Sequence, residues 1–444
     1  MADASRQESP DPDNQTVTFT DKEADESPDL RAREKEEEIA AGEEFYPGDS
    51  GSFRAWLVVA GTIAGNLSTF GYVNAWGVFQ AYYEQNILSD VSPSNIAWIG
   101  SIQYSLVFFP GLVTGRMFDL GYFKIPFVAS STLLVVCTFL VAQCKEYWQF
   151  ILCQGIATGL SCGLIFGPNL GVIGHWFKKK RGLALGFSAI GSSIGGTIFP
   201  LATRRLIPLV GFPWTMRICA FILVFTLGFA NLTLARRLPP KNVSGGLLNL
   251  KAFKNAAYSV YCLSGLVAFL GLYTTLTYID ASAVFYGVSP DWSFNLVAIA
   301  NGSSLFGRIA GGFFSDKFGS LNCLIPMTLL AAVMTYAWPF ARTQSSLIAV
   351  AVLYGILSGT YVSVFALPIF ALGDIHDVGR RTGMALTCAA FGALAGPPIS
   401  GAINTATGGF TAVGYYAGST IVLSVLLMVV TRQLVLRGAI WAKI

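Results

Sequence analysis

Charged side chains are scarce in this sequence. Only 12% of the 444 residues are Asp, Glu, Lys or Arg, and 53% are hydrophobic, so the chain carries about half the charge of an ordinary soluble protein. The first 50 residues are the exception, because they contain 16 of the 25 acidic residues. A stretch this acidic and this poor in apolar side chains cannot offset its own ordering entropy, and we expect residues 1–50 to form a disordered tail.

Several motifs of enzymes and binding proteins are also missing. The only histidines, His175 and His376, have no second ligand at a metal-binding spacing, which argues against a zinc site. The eight cysteines include no Cys-x-x-Cys pair, and there is no Gly-x-x-x-x-Gly-Lys-Ser/Thr loop to bind ATP. No nucleophile, base and orienting group occur together, so we expect neither an enzyme nor a bound cofactor. The basic residues lie in short links between apolar runs, which argues against nucleic acid as a partner.

A short motif occurs twice and indicates an internal duplication. Gly115-Arg-Met-Phe-Asp119 and Gly312-Phe-Phe-Ser-Asp316 keep the same Gly-to-Asp spacing and are 197 residues apart. The same offset relates further positions, namely Gly186 with Gly383, Gly195 with Gly392 and Pro200 with Pro397. A fixed offset predicts two similar halves, and similar halves built of apolar helices are typical of a secondary transporter.

Twelve apolar segments follow the tail, each near the length of about 20 residues that a helix needs to cross the hydrocarbon core of a membrane. They cover residues 54–80, 95–117, 125–143, 149–172, 182–204, 214–235, 255–280, 293–315, 322–340, 346–371, 382–404 and 411–435. We therefore predict an all-α membrane protein, surrounded by the lipid bilayer, whose transmembrane helices form two pseudo-symmetric six-helix bundles. The bundles cover residues 51–235 and 255–444, and a cytoplasmic linker at 236–254 joins them.

The basic residues in the links predict the orientation in the membrane. With the N-terminus inside, most of them fall on the cytoplasmic side, including the run Lys178-Lys-Lys-Arg181, as the positive-inside rule requires. Both termini are then cytoplasmic, and so are the links that hold His175 and His376. The N-terminus lacks the basic and apolar regions of a cleaved signal peptide. We expect a multi-pass protein of the plasma membrane.

The aspartates of the repeated motif, Asp119 and Asp316, each lie at a cytoplasmic helix end. A carboxylate there can bind a helix N-terminus or a nearby base, hold two helices together and release them when they move apart. Gly115, Gly312 and Lys317 complete the predicted gating set. The alternative is a simple turn, in which the glycine gives backbone freedom and the aspartate caps the next helix. Both can hold at once.

The Gly/Asp motif resembles the loop motif of the major facilitator superfamily, which implies the major facilitator fold. A narrower resemblance lies in Phe53-Arg-Ala-Trp56, Phe70-Gly-Tyr-Val-Asn-Ala-Trp-Gly-Val-Phe-Gln-Ala-Tyr-Tyr-Glu84, His175-Trp-Phe-Lys-Lys-Lys-Arg-Gly-Leu-Ala-Leu-Gly186 and Asn301-Gly-Ser-Ser-Leu-Phe-Gly-Arg308. These stretches are similar to the fungal branch of the monocarboxylate porter family, over residues 53–435. The resemblance implies a small-molecule substrate.

In that family a lysine in the first helix and an Asp/Arg pair in the eighth are associated with carboxylate binding and proton coupling. The matching positions are Asn74, Ser304 and Arg308, so only the arginine is kept. This departure argues against a simple proton-coupled lactate or pyruvate carrier and favours a larger organic molecule. Apart from the motif aspartates and Asp280 near an outer end, the segments contain no carboxylate. A coupling proton, a uniporter and an exchanger therefore all stay open.

A polar stripe in the eighth segment predicts part of a substrate site. Asn301, Ser304 and Arg308 are spaced i, i+3 and i+7 and share a helix face, and a charge inside a membrane helix marks a pathway. The alternative is that Arg308 extends towards the cytoplasmic surface as an interface residue. The other candidate binding residues are Asn74, Trp76, Tyr278 and Tyr361. For Asn74 the alternative is a hydrogen bond between helices.

The sequence thus predicts a carrier that moves a small organic molecule by alternating access around a central cavity. Uptake of a carboxylate or of a vitamin such as riboflavin and export of a secondary metabolite both stay open. The rival class is a membrane nutrient sensor that does not transport and signals through its acidic tail.

Deletion of residues 1–45 separates these two classes. A sensor should fall silent, whereas a carrier should keep its transport, because the deleted residues contain none of the apolar segments. The measurement is the flux of the transported compound through cells that hold the full-length or the shortened chain, normalised to the amount of protein at the membrane. Loss of flux at an unchanged amount of protein would contradict the prediction for a carrier.

Overall fold

The computed structural model describes residues 52–237, 246, 248–373 and 377–436, and no strand occurs among them. The long helical stretches are α1 Phe53–Ile87, α2 Asn95–Asp119, α3 Lys124–Val141, α4 Tyr147–Trp176, α5 Arg181–Thr233, α6 Ala256–Phe285, α7 Asn295–Phe318, α8 Ser320–Phe340, α9 Gln344–Ala371, α10 Val378–Thr407 and α11 Thr411–Leu436. The predicted tail, His376 and residues 238–245 and 247 of the predicted linker lie outside the described residues. His175, predicted in a link, instead lies in the last turn of α4, because that helix continues to Trp176.

Eight of the twelve predicted segments fall within these stretches, and the other four extend one or two residues beyond a helix end. Ten of the stretches, all but α7, are long and apolar enough to cross a membrane. α5 is 53 residues long and is broken at Gly211, whose φ of 79° is not helical, so it accounts for two predicted segments. α7 is 24 residues long and contains the predicted polar stripe, which lowers its apolar content. The prediction of an all-α membrane protein is confirmed.

Side-chain caps and turn glycines define the short connections. The Ser52 hydroxyl accepts a hydrogen bond from an N–H in the first turn of α1, and Asn255 does the same for α6. Such caps satisfy backbone donors that have no partner inside the helix. Gly121 and Gly319 follow α2 and α7 with φ of 98° and 100°, a conformation that glycine adopts without strain. The turn after each motif therefore depends on these two glycines.

Glycines also let neighbouring helices pack at backbone distance. A Cβ atom on Gly191 of α5 would lie 1.9 Å from the carbonyl oxygen of Ile63 in α1. A Cβ atom on Gly307 of α7 would lie 1.8 Å from the carbonyl oxygen of Ile356 in α9. Membrane helices rely on such close van der Waals packing, because lipid tails are as apolar as the side chains that they would replace.

We call α1–α5 the N-terminal half and α6–α11 the C-terminal half. The halves meet along two similar faces, α2 against α10 and α5 against α7. On the first face a Cβ on Gly115 would lie 2.2 Å from the carbonyl oxygen of Gly379, and on the second a Cβ on Gly312 would lie 2.3 Å from that of Gly182. The two contacts are related by the offset of 197 residues. The repeat in the sequence is therefore also a repeat in the contacts between the halves.

The packing of α7 on α9 generates a test of stability. Gly307→Ala should lower the thermal unfolding midpoint of the purified protein, because its Cβ would meet the Ile356 carbonyl and force the helices apart, at a cost of about 1–3 kcal/mol. Gly228→Ala is the matched control, since nothing lies within 4 Å of its Cβ position. This control should leave the midpoint unchanged or raise it. Equal midpoints for the two variants would show that the close approach is not required.

Candidate functional site

A cavity with about 40 Å³ of accessible space lies between the two halves. Its lining residues are Phe70, Asn74, Ser192, Leu272, Tyr273, Leu276, Ala300, Asn301, Ser304, Arg308, Ser358, Gly359 and Val362. They come from α1, α5, α6, α7 and α9, so both halves contribute. The predicted polar stripe of α7 and the predicted Asn74 are thereby brought together around one space.

Arg308 is the only charged residue among the described residues that line the cavity, and it is 8% exposed. Its Nη1 donates to the carbonyl oxygen of Ala189 in the opposite half at 3.2 Å, and its Nε lies 3.4 Å from Ser304 Oγ. No carboxylate among the described residues forms an ion pair with it. A guanidinium has five N–H donors, so most of them lack a protein partner here. A buried cation without a counter-ion is costly, and an anionic ligand would compensate it.

The remaining polar groups of α7 bridge the two halves directly. Ser304 Oγ and Ser193 Oγ are 2.6 Å apart, and Asn301 Nδ2 donates to the carbonyl oxygen of Gly196 at 3.3 Å. Both partners belong to α5. These bonds satisfy polar groups that would be costly if buried alone, and they join the halves through the wall of the cavity.

Asn74 lies at a break in α1, where residues 74 and 75 form a turn between two helical pieces. Such a break is tolerated inside a membrane where it lines a cavity or is satisfied by neighbours. The Asn74 Oδ1 atom accepts a hydrogen bond of 2.9 Å from the Tyr104 hydroxyl of α2. The predicted bond between helices is therefore present, and the same side chain also lines the cavity.

The other three predicted binding residues do not line this cavity. Trp76 donates its indole N–H to Gln80 at 2.9 Å, and the Tyr278 hydroxyl donates to the carbonyl oxygen of Pro397 at 2.8 Å. Tyr361 is buried in the apolar core. The turn at residues 74 and 75 interrupts the helical periodicity of α1. The helix face on which Trp76 lies therefore cannot be derived from the spacing of the residues alone.

Among the lining residues that were not predicted from the sequence are two polar ones, Tyr273 and Ser192. Tyr273 lies between the two helical pieces of α6, where a tyrosine is indistinguishable by composition from one at a membrane interface. Ser192 belongs to a run of glycine and serine that also fits close helix packing. Neither carries a charge, which is the signal that identified Arg308.

The motif aspartates bind helix N-termini of the opposite half. The Asp316 carboxylate accepts from the N–H groups of Gly182 and Leu183 at 2.7 and 2.8 Å, at the start of α5. Asp119 accepts from the N–H groups of residues 379 and 380 at 3.2 and 2.8 Å, at the start of α10. The positive end of the helix dipole favours a carboxylate there. Each aspartate thus contacts the opposite half, and capping of the next helix in the sequence stays a separate prediction.

The other members of the predicted gating set have different surroundings. Gly115 and Gly312 lie inside helices and allow close approach, so they do not give the turn its backbone freedom. Lys317 is exposed, with its Nζ 5.4 Å from the centre of the Phe318 ring. A base does lie close to Asp119: burial lowers the pKa of the Arg236 guanidinium, and the charge of Asp119 opposes that shift.

An apolar cluster seals the end of the protein where the motif aspartates lie. Its buried members from the N-terminal half are Ala55, Val59, Ile173, Phe177, Ala184 and Leu185, and those from the C-terminal half are Ala366, Phe370 and Val378. The Phe370 ring packs against the N-terminal half, since a Cβ on Gly174 would lie 2.5 Å from this ring. The Arg181 guanidinium lies 4.5 Å from the centre of the same ring. The cavity is therefore closed towards this end, which we call the motif end.

Known proteins resemble the chain in sequence and in structure. The sequence model of the Major Facilitator Superfamily matches residues 61–372. MFS-type transporter 1 of Ophiocordyceps is 37% identical over 386 residues, which cover 86% of each chain. MFS transporter asaE of Aspergillus flavus is 37% identical over 83% of this chain and 84% of its own length. The aspyridones efflux protein apdF of Emericella nidulans is 36% identical over 88% of this chain and 80% of its own length.

Solved structures share the fold at low sequence identity. The human organic anion transporter MFSD10 superposes with a TM-score of 0.67 at 15% identity, over 85% of this chain and all of its own. The proton:xylose symporter XylE gives a TM-score of 0.69 at 13% identity, over 85% of this chain and 96% of its own. The family match, the similar transporters and the shared fold agree with the cavity between two similar halves. The chain belongs to the major facilitator superfamily and is a membrane transporter.

Proposed function

We propose that this transporter exports an anionic secondary metabolite across the plasma membrane and belongs to the fungal branch of the monocarboxylate porter family. The observation that carries the proposal is Arg308, a buried cation in the cavity with no carboxylate partner among the described residues. The relative named as an aspyridones efflux protein supports export of a fungal product. The binding set is Asn74, Asn301, Ser304 and Arg308.

The departure from the family pattern at Asn74 and Ser304 favours an organic anion larger than lactate or pyruvate, and the cavity offers groups for both the charged and the apolar part of such a molecule. The guanidinium can pair with a carboxylate or enolate oxygen through charge-assisted hydrogen bonds. Phe70, Leu272, Leu276 and Val362 offer an apolar wall to the rest of the molecule. The lining contains no carboxylate, so a coupling proton, which the family resemblance allows, would need a different residue.

Alternating access would proceed by rocking of the two bundles around this cavity. With the basic links in the cytoplasm, the motif end is the cytoplasmic end, and the described conformation is closed there. Asp119 and Asp316 act as latches on this side, because each joins a helix end of one half to a helix start of the other. Release of both latches and opening of the apolar cluster would admit the cytoplasmic substrate.

Replacement of Arg308 tests the substrate site. In a strain that lacks the native gene, Arg308→Ala should reduce export by about tenfold to a hundredfold, since hydrogen bonds to a charged group contribute about 1.5–3 kcal/mol. Arg308→Lys should restore part of the export, because it returns the charge without the planar fork. The measurement compares all metabolites in medium and cell extract, and the exported compound should accumulate in the cells.

Arg205→Ala is the matched control for this experiment, because Arg205 is exposed and lies outside the cavity. It should export normally. Surface amounts of all variants are measured in parallel. Normal export by both Arg308→Ala and Arg308→Lys would contradict the site assignment, and depletion of a nutrient from the medium by the wild type alone would indicate uptake instead.

Replacement of the latch aspartates tests their role in gating. In a chain without its native cysteines, Ala184→Cys places a thiol in the apolar cluster of the motif end. Asp119→Asn and Asp316→Asn should each raise its labelling rate by a charged maleimide about twofold to fivefold, because the loss of a charge at a helix N-terminus costs about 0.3–1 kcal/mol. Asp280→Asn is the control, since Asp280 binds Ser293 away from the motif end. Unchanged labelling in both latch variants would contradict the proposal.

A further inference from the structure

The amide of Asn74 has a fixed orientation. Its Oδ1 atom is occupied by the hydroxyl of Tyr104, which donates a hydrogen bond of 2.9 Å. Its Nδ2 atom points the other way, towards Gly196, whose Cβ position would lie 2.8 Å from it. No described residue accepts a hydrogen bond from this nitrogen. Since Asn74 lines the cavity, its two free N–H donors are available to a ligand.

The opposite wall of the cavity also presents N–H donors. Arg308 makes two hydrogen bonds to protein groups, which leaves the larger part of its five donors. Asn301 is oriented the other way, because its nitrogen donates to Gly196 and leaves its carbonyl oxygen as an acceptor. A ligand that bridges Asn74 and Arg308 therefore meets donors at both of its ends.

The spacing of these groups sets the length of such a ligand. Asn74 and Asn301 both lie against Gly196, and Arg308 is seven residues beyond Asn301 on the same helix face. Seven residues correspond to roughly 10 Å along a helix, and the guanidinium reaches back to Ser304 and shortens that span. Phe70 and Tyr273 line the same cavity, and aromatic side chains favour contact with a flat apolar body.

We propose that the substrate is an organic anion with a planar apolar body and a second, neutral acceptor such as a ketone or amide carbonyl at the end remote from the charge. Arg308 binds the anionic oxygens, and the Asn74 amide donates to the neutral acceptor. Tyr104 is a positioning residue, since its hydroxyl keeps the nitrogen of that amide towards the ligand. The inference rests on the proposed function, because it takes Arg308 as the anion site. It adds the requirement that the substrate carries a neutral acceptor for the Asn74 amide.

A matched pair of probes tests the requirement. Phenylpropanoate carries the anion and the ring, and its para-acetyl derivative adds a ketone at the remote end. Isothermal titration calorimetry with the purified full-length protein in lipid nanodiscs gives both affinities. The wild type should bind the acetyl derivative about three to ten times more tightly, which is the contribution of one additional hydrogen bond.

The ratio of the two affinities distinguishes a specific role from general damage, because misfolding lowers both affinities together. Asn74→Leu and Tyr104→Phe should bring the ratio close to one. Tyr147→Phe is the control, since it removes a tyrosine hydroxyl bonded to Asn95 in the same half, away from the cavity. That variant should keep the wild-type ratio.

Three results would overturn the inference: a wild-type ratio of one, an unchanged ratio in both cavity variants, or no binding of either probe. Arg308→Gln separates this failure from failure of the proposed function. If that variant loses affinity for both probes and the wild-type ratio is one, the proposed anion site is supported and only the proposal of a second acceptor is rejected. Undiminished binding in Arg308→Gln overturns both.

Discussion

The contact of a carboxylate with a helix N-terminus across the two halves is the interaction on which the described conformation depends. Each aspartate takes two backbone N–H groups that have no partner within their own helix. Glycines beside both contacts bring the backbones close enough for this to happen. Because these hydrogen bonds use backbone donors, they form only when the helices are in register. The two contacts are therefore sensitive to a rigid-body movement of one half relative to the other.

The duplication that creates these two contacts is broken at the functional centre. The offset of 197 residues relates Gly111 in α2 to Arg308 in α7. Both residues pack their backbones against a glycine of the opposite half: a Cβ on Gly383 would lie 2.1 Å from the Gly111 carbonyl oxygen, and one on Gly186 would lie 2.4 Å from that of Arg308. Only the C-terminal copy carries a side chain, and it projects into the cavity. The repeated glycine contacts bring the halves together, and the departure at Arg308 supplies the charge.

The fold could be predicted from the sequence because membrane helices leave a strong apolar signal, and all twelve segments match observed helices to within two residues at the ends that overrun them. Arg308 and its polar stripe were found for the same reason, since a charge stands out in an apolar run. Trp76 and Tyr278 were predicted in the site and lie outside it, because the breaks near residues 74 and 273 change which face each helix turns inward. The partners of Asp119 and Asp316 depend on contacts more than 130 residues apart in the chain. No local pattern specifies them.

The buried charge of Arg308 and the closed motif end together underlie our proposal of a cavity that opens on alternate sides and binds an anion. Accessibility of one cavity position tests this most directly. In a cysteine-free chain reconstituted into liposomes, Ser358→Cys would place a thiol on the cavity wall, and a charged maleimide would be added from either side. The account predicts labelling from both sides and protection by phenylpropanoate, with protection lost in Arg308→Gln. Labelling from one side only, or protection that does not depend on Arg308, would contradict it.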